Sequence, residues 1–220
     1  MENKTLKLLL IKWLNYAYCL SEEPQEYGML RILQCIEDII DIANIREEEK
    51  KKLRELIQKS KDNLFDLSST EFKKDEVVRP SDILECIELG IWAPTGGNLQ
   101  RLRFSIIVDG DLIEKIKLYA PGLPKTAPAI LALYSYEKEE YKSNFFEELI
   151  NYDIGLALQN ICLGLYLKGY GSCIVKSFNQ FMLNKLLFKP NHQLRILLAW
   201  GRIEKIPLTP KRKEIKAYLI

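Results

Sequence analysis

Eight consecutive residues, Ala93-Pro94-Thr95-Gly96-Gly97-Asn98-Leu99-Gln100, carry the clearest chemical potential in the chain. They leave a helix-like segment, turn on two glycines and enter a strand-like one. Glycine lets a backbone approach a ligand closely. The side-chain amides of Asn98 and Gln100 can bond both the donor and the acceptor edges of a heterocycle. Taken alone, the same residues also suit a plain helix-to-strand turn.

Most other chemistries are excluded by what the chain lacks. His192 is the single histidine, which rules out a multi-histidine metal site and leaves one candidate base for any catalytic triad. The five cysteines (Cys19, Cys35, Cys86, Cys162 and Cys173) are odd in number and form no CxxC pair. They read as buried free thiols in a reducing compartment, Cys173 included. Gly169-Tyr170-Gly171 opens a GxGxxG pattern, but position 174 is Ile, and the run lies between a helix and a strand in the wrong order for a dinucleotide fold. No GxxxxGK[ST] phosphate loop is present and no acidic cluster suggests a metal.

Bulk properties narrow the class. The 220 residues are 47% hydrophobic and 28% charged, the mix of a globular protein. A net charge of +2 argues against a nucleic-acid partner. The N-terminal apolar run Leu8–Ile11 is broken by Lys12, too short for a secretory or membrane-spanning segment. The expectation is a cytoplasmic protein with no membrane partner.

The elements that must position the loop divide near residue 75. Residues 3–62 read as three helices, the third bearing EEEKKK as a solvated face with i,i+4 pairs. After Pro80 helices and strands alternate. A helix capped by Ser81 runs to about Trp92, then a strand over 103–109 and a helix over 111–119. A Pro/Gly loop at 120–128 leads to a strand over 130–136. Residues 145–168 form a long helix so apolar that it must be central in the core or at an oligomer interface, with Gly169 as its terminator. A strand at 173–175, a helix at 180–188 and a strand at 194–200 complete an α+β pattern, with a mixed, mainly antiparallel sheet beside a long buried helix. Trp13, Trp92 and Trp200 are expected in the core or at an interface, and His192 in an exposed turn.

Four blocks in register resemble the FMN-dependent nitroreductase family. ILECIELGIWAPTGGNLQRLRFSIIV is similar to its signature helix, APS/T-x-x-N-x-Q turn and strand. TAPAILALYS resembles its second core strand. YDIGLALQNICLGLYLKGYGSCIVKSFN resembles the central helix, the GxGS turn and the loop after it. LLAWGRIEKIPLTPKRK resembles the last core strand and a basic tail. The resemblance covers about 68–220 and implies a flavin-binding domain over 66–220, preceded by a helical extension over 1–65. It implies a homodimer with FMN at the interface, and hydride passed from NAD(P)H through flavin N5 to a small-molecule substrate such as a nitroaromatic or quinone. Pro94, Thr95, Gly96 and Gly97 would line the flavin, and Asn98 and Gln100 would hold the loop and contact it. The backbone of Lys176 and Ser177 would approach N5 and O4. Lys211 and Arg212 would bind the phosphate, and Ser68, which matches the family's opening motif, would join the cofactor site. No protein acid–base pair or metal is implied, because the flavin carries the chemistry.

The chain departs from the family pattern at four positions. Asp66 and Thr70 stand where two basic residues grip the cofactor, Arg101 stands for Pro and Leu102 for Trp. Lys73, Lys74, Arg79 and Arg103 are candidates to replace the lost charges. Two other readings therefore stand beside the oxidoreductase: a specialised flavin-dependent dehydrogenase, and a fold-only relative that has lost flavin and serves as a binding or structural subunit. The N-terminal helices are expected to act as a brace, because the first two are too apolar to stand free in water.

Overall fold

In the computed structural model of the chain, which describes residues 3–20, 27–43, 45–64, 71–73 and 78–204, the most buried stretch is the strand read from its apolar run. Ala129–Tyr136 (β2) is buried from Ala129 through Ser135. It pairs antiparallel with Leu102–Ile107 (β1) on one side and with His192–Gly201 (β4) on the other. Gly171–Val175 (β3) pairs antiparallel with the far edge of β4, giving the order β1-β2-β4-β3. The α+β class holds. Every strand pairing among the described residues is antiparallel, so the parallel element of a mixed sheet is not found there.

The sheet is covered on both faces, which is why β2 and β4 carry apolar residues at successive positions rather than alternate ones. Ala129, Leu131, Leu133, Leu198 and Trp200 point into one cluster. That cluster is completed by Pro80–Ile91 (α4) and the 24-residue Asn144–Leu167 (α6), through Ile83, Ile87, Ile154 and Leu158 among others. Ile130, Ala132, Tyr134, Leu197 and Ala199 face the other cluster, with Ile113 and Ile116 of Gly110–Tyr119 (α5) and Leu183 of Gln180–Leu186 (α7).

Helix ends follow local chemistry. Asp109 accepts from Leu112 N at 2.7 Å to cap α5, and Asn179 accepts from Met182 N at 3.1 Å to cap α7. The start of α4 differs from the sequence expectation. Ser81 is not its cap; Pro80 takes the first helical position, where its missing N–H is harmless, and extended Arg79 precedes it. Gly169 ends α6 as expected, with φ +74. Tyr170 N donates to Leu165 O at 2.9 Å and Gly169 N to Tyr166 O at 2.9 Å, the paired bonds of a Schellman motif.

The apolar character of α6 has two outlets. Ile150, Ala157, Ile161 and Leu165 are buried, whereas Tyr152, Leu156, Leu163, Tyr166 and Leu167 are exposed. Leu84, Leu89, Ile91 and Trp92, in and just beyond neighbouring α4, are exposed too. Trp200 is a core residue; Trp92 is 85% exposed, outside the core and on the same surface as the exposed apolar residues of α4. His192 is half-buried rather than exposed, because it opens β4 opposite Tyr136, with ring centroids 5.3 Å apart.

Asn3–Leu20 (α1), Tyr27–Ile42 (α2) and Glu47–Leu64 (α3) form the expected helical N-terminal region. Lys12, Trp13 Nε1 and Tyr16 OH of α1 converge on the carboxylate of Asp38 of α2, itself 5% exposed.

Gly169→Ala tests the α6 terminator. A Cβ there would meet the Arg202 guanidinium at 2.6 Å while holding a left-handed φ. The expected loss is about 1–2 kcal/mol in urea unfolding with an unchanged m-value.

Candidate functional site

The loop between α4 and β1 has an unusual backbone. Gly97 (φ +59), Asn98 (φ +54) and Gln100 (φ +49) are all left-handed. Two non-glycine residues in that region within three positions cost energy that the surroundings must offset. Local contacts hold the loop. Asn98 N donates to Thr95 O at 2.9 Å, Gln100 N to the Thr95 hydroxyl at 3.3 Å, and Gln100 Nε2 to Asn98 Oδ1 at 2.9 Å. A further contact is long-range: Gly96 N donates to Asp153 Oδ1 at 2.9 Å. Asp153 lies in α6 and is 4% exposed, so a buried carboxylate grips the turn from below.

The result is a fixed loop with its chemistry outward. Asn98 and Gln100 are exposed, Thr95 and Gly96 are half-buried, and Gly97 is exposed with a Cβ position 3.8 Å from its nearest neighbour. A cleft of about 390 Å³ opens beside the loop, lined by Thr95, Gln100, Leu102, Arg103 and Ile91. Arg103 is exposed and turned onto the carbonyls of Gln100 (2.9 Å) and Leu102 (2.7 Å). Of the candidate replacement cations among the described residues, it is the one that lines this cleft. Arg79 instead pairs with Asp82 at 3.1 Å.

Arg101 has a structural task. Its carbonyl accepts from Tyr136 N at 2.8 Å. Its guanidinium, 2% exposed, donates to Tyr136 O, Phe146 O and Glu137 Oε2 at 3.1, 3.3 and 3.0 Å. The backbone and side chain together clamp the exit of the loop to the end of β2.

The second expected segment, Lys176-Ser177, follows β3. It belongs to the α5–α7 side of the sheet, where Val175 and Phe178 are core residues. The first loop is tied to α6 on the opposite side. Gly122 N donates to Ser177 O at 3.3 Å, and Lys176 Nζ donates to Arg195 O at 3.0 Å. Ser68, Lys211 and Arg212 lie outside the described residues, as do Asp66, Thr70 and Lys74.

Arg195 went unnoticed in the sequence. The β2–β4 register slips between Leu133 (opposite Ile196) and Tyr134 (opposite Leu194), so Arg195 is the extra residue of a bulge. The bulge re-aims it toward Ser135, Glu137 and Glu147. It donates to Glu147 at 2.6 and 2.9 Å and to Glu137 at 2.8 Å. Burial works against its charge, but the carboxylate hydrogen bonds outweigh this and push its pKa up. The same hydrogen bond holds the Glu147 carboxyl below its ordinary value. Burial raises the thiols of Cys86, Cys162 and Cys173, which disfavours thiolate chemistry. No group of three or more metal-ligating side chains occurs among the described residues. Nor is any helix among them long and apolar enough to cross a membrane.

A two-faced antiparallel sheet with a strained, outward-facing amide loop at one end defines an α+β fold. The model of the nitroreductase family matches residues 68–146 and 117–202, more than half of the chain, and the chain belongs to that family. Among solved structures it is similar to a nitroreductase family protein from Streptococcus pneumoniae TIGR4, at 20% identity, covering 68% of this chain and 92% of that one with a TM-score of 0.56. A nitroreductase family protein from Clostridium difficile 630 gives 22%, 66%, 84% and 0.57. A BluB-like flavoprotein from the same organism gives 22%, 70%, 94% and 0.54. No curated protein matches the chain.

Two measurements check the geometry. Asp153→Ala leaves the Gly96 N–H without its acceptor and is expected to cost about 1–2 kcal/mol in chemical unfolding, whereas Asp153→Asn, which keeps an acceptor oxygen, costs less. Glu147 has a folded pKa below its ordinary 4.5, so its pairing stabilises fully above that value and is lost as pH falls through the lowered one. Stability of the unsubstituted protein should therefore fall more steeply than that of Glu147→Gln between about pH 5 and pH 3, read by urea midpoints.

Proposed function

We propose that the chain is an FMN-dependent oxidoreductase that takes reducing equivalents from NAD(P)H and delivers them to a small acceptor such as a nitroaromatic or quinone. The observation that carries this is the Thr95–Gln100 loop. A strained backbone, anchored by buried Asp153, presents two amide side chains to solvent. A loop with only a connecting role has no need of that strain. Family membership supports an oxidoreductase, and the similarity to a BluB-like flavoprotein supports a flavin.

The residues present fit the ring half of the cofactor. Asn98 and Gln100 offer donors and acceptors to the polar edge of an isoalloxazine, while exposed Gly97 leaves room for close approach. Pro94, Thr95 and Gly96 form the wall behind them. The Lys176 and Ser177 backbone would supply further donors, Lys211 and Arg212 would bind the phosphate by charge, and Ser68 would join the cofactor site. Bound beside these residues, FMN would supply the redox chemistry. The protein binds, orients and excludes water, so it needs no acid–base pair of its own.

The two segments flank opposite faces of the sheet, which favours a homodimer in which one subunit's loop completes its partner's site. The exposed apolar residues of α6 and α4 are the natural contact, because so many exposed large apolar groups are costly in a monomer. Five free cysteines suit a reducing cytoplasm.

One preparation tests the reading. Purified protein should absorb as an oxidised flavin between about 300 and 550 nm and release FMN on denaturation. It should also oxidise NADH or NADPH, and sediment at twice 25.6 kDa. A colourless protein that takes up no added FMN would overturn the enzyme reading and leave a fold-only relative, with Asp66 and Thr70 as the cause. A coloured protein inert to both nicotinamides would instead indicate a specialised flavin-dependent dehydrogenase.

A further inference from the structure

Asn15 reaches from α1 into the core domain. It is 5% exposed, and its amide is used at both ends. Nδ2 donates to Ile11 O at 2.7 Å within its own helix and to Leu118 O at 3.2 Å at the end of α5. Oδ1 accepts from Asn179 Nδ2 at 2.7 Å. Asn179 closes the Lys176–Asn179 loop. Its own N–H donates to Tyr119 O at 2.7 Å and its Oδ1 caps α7. From α2, Gln34 Nε2 donates to Pro121 O at 3.3 Å and Glu37 pairs with Lys125 at 3.3 Å. The turn between Ala120 and Leu123 is therefore held by the N-terminal helices on one side. On its other side it meets Ser177, whose carbonyl accepts from Gly122 N at 3.3 Å; a Cβ on Gly122 would stand 3.0 Å from Ser177 Cβ.

We propose that the N-terminal helices are an intramolecular brace for the Lys176–Asn179 loop, with Asn15 as the positioning residue that sets it. The inference rests on the flavin reading of that loop. Four residues between β3 and α7 have little packing of their own apart from Phe178, and they are fixed at three points. Lys176 is bonded to the carbonyl that the Arg195 bulge releases, Ser177 to the braced turn, and Asn179 to Tyr119 and Asn15. Asp38 fixes the rotation of α1 by gathering Lys12, Trp13 and Tyr16, and so aims Asn15 at Asn179. An apolar docking face would hold the helix without fixing such an angle. Directional bonds from a buried amide do fix it, because a buried amide left unpaired is costly. Ordering the loop before a ligand arrives removes that cost from binding. The brace lies before residue 68, where the family match begins, so it is an addition to the family core.

Full-length Asn15→Leu keeps the bulk and removes the bonds. Asp41→Ala, which breaks an exposed 3.0 Å pair with Arg54 in the same helical region, is the control. Hydrogen–deuterium exchange of the free proteins should show about tenfold faster exchange over 118–123 and 176–182 in Asn15→Leu only, with β2 and β4 unchanged. FMN affinity should fall by about tenfold in the same variant, with an altered visible flavin band. Gln34→Met should loosen the same two segments by less, and decides the matter if Asn15→Leu fails to fold. Unchanged exchange over 176–182, or protection lost evenly across the sheet, overturns the brace. An unsubstituted protein that takes up no FMN overturns the flavin reading instead, while the exchange comparison still decides whether Asn15 holds the loop.

Discussion

The constraint on which the rest depends is that the β2–β4 pair is buried on both faces. A strand with water on one side can carry polar residues at every second position. β2 and β4 have no such side, because α4 and α6 cover one face and α5 and α7 the other. Polar chemistry is therefore displaced to strand ends and to the loops beyond them. The candidate flavin loop lies before β1 and the Lys176–Asn179 loop after β3. Both are anchored by long-range bonds, to Asp153 and to Asn15, in addition to any local ones.

Arg195 is the exception that confirms the constraint. A guanidinium in the middle of a doubly covered strand would be prohibitive if it pointed into either apolar cluster. The bulge removes it from the alternation, and Ser135, Glu137 and Glu147 receive it. The bulge has a second effect: the Arg195 carbonyl is free to accept from Lys176 Nζ. One irregularity thus ties the end of β2, the start of α6 and the loop after β3 into one polar assembly. Arg101 joins the same assembly through Glu137, which brings in the exit of the first loop.

This division explains what was legible in the sequence. Element types followed from apolar periodicity and from Gly and Pro positions, because two-faced burial writes itself as unbroken apolar runs. The Ala93–Gln100 loop was visible because glycines and amides at a helix-to-strand junction are an unusual local combination. Ser81 was misplaced as a cap because Pro80 competes for the same turn and wins through its preset φ. Asp153 left a readable signal, a lone acid on the buried face of an apolar helix between Ile150 and Ala157, but its partner Gly96 is 57 residues away. Arg195, Asn15 and Asn179 left none. Each matters through a partner far along the chain, and no local pattern marks a bulge whose cause is a pair of distant carboxylates. The Ser68, Lys211 and Arg212 assignments rest on resemblance, outside the described residues.

The same physics bears on why a family core would carry the added N-terminal helices. The loop before β1 is held from below by Asp153 of α6, an element any member of this fold can supply. The loop after β3 has no helix of the core placed to grip Asn179, because α7 begins there and α5 ends at Tyr119. Tyr119 O reaches the backbone of Asn179 but leaves its amide donor to be satisfied. Water could satisfy that half-buried donor only while the site stayed open. Asn15 closes it with protein. Once that bond exists, the position of α1 and the shape of the loop are no longer independent, and any change that shifts the helices registers at Ser177 through the Ala120–Leu123 turn. Each of the two loops is thereby tied by a long-range bond to a helix, one to α6 of the core and the other to α1.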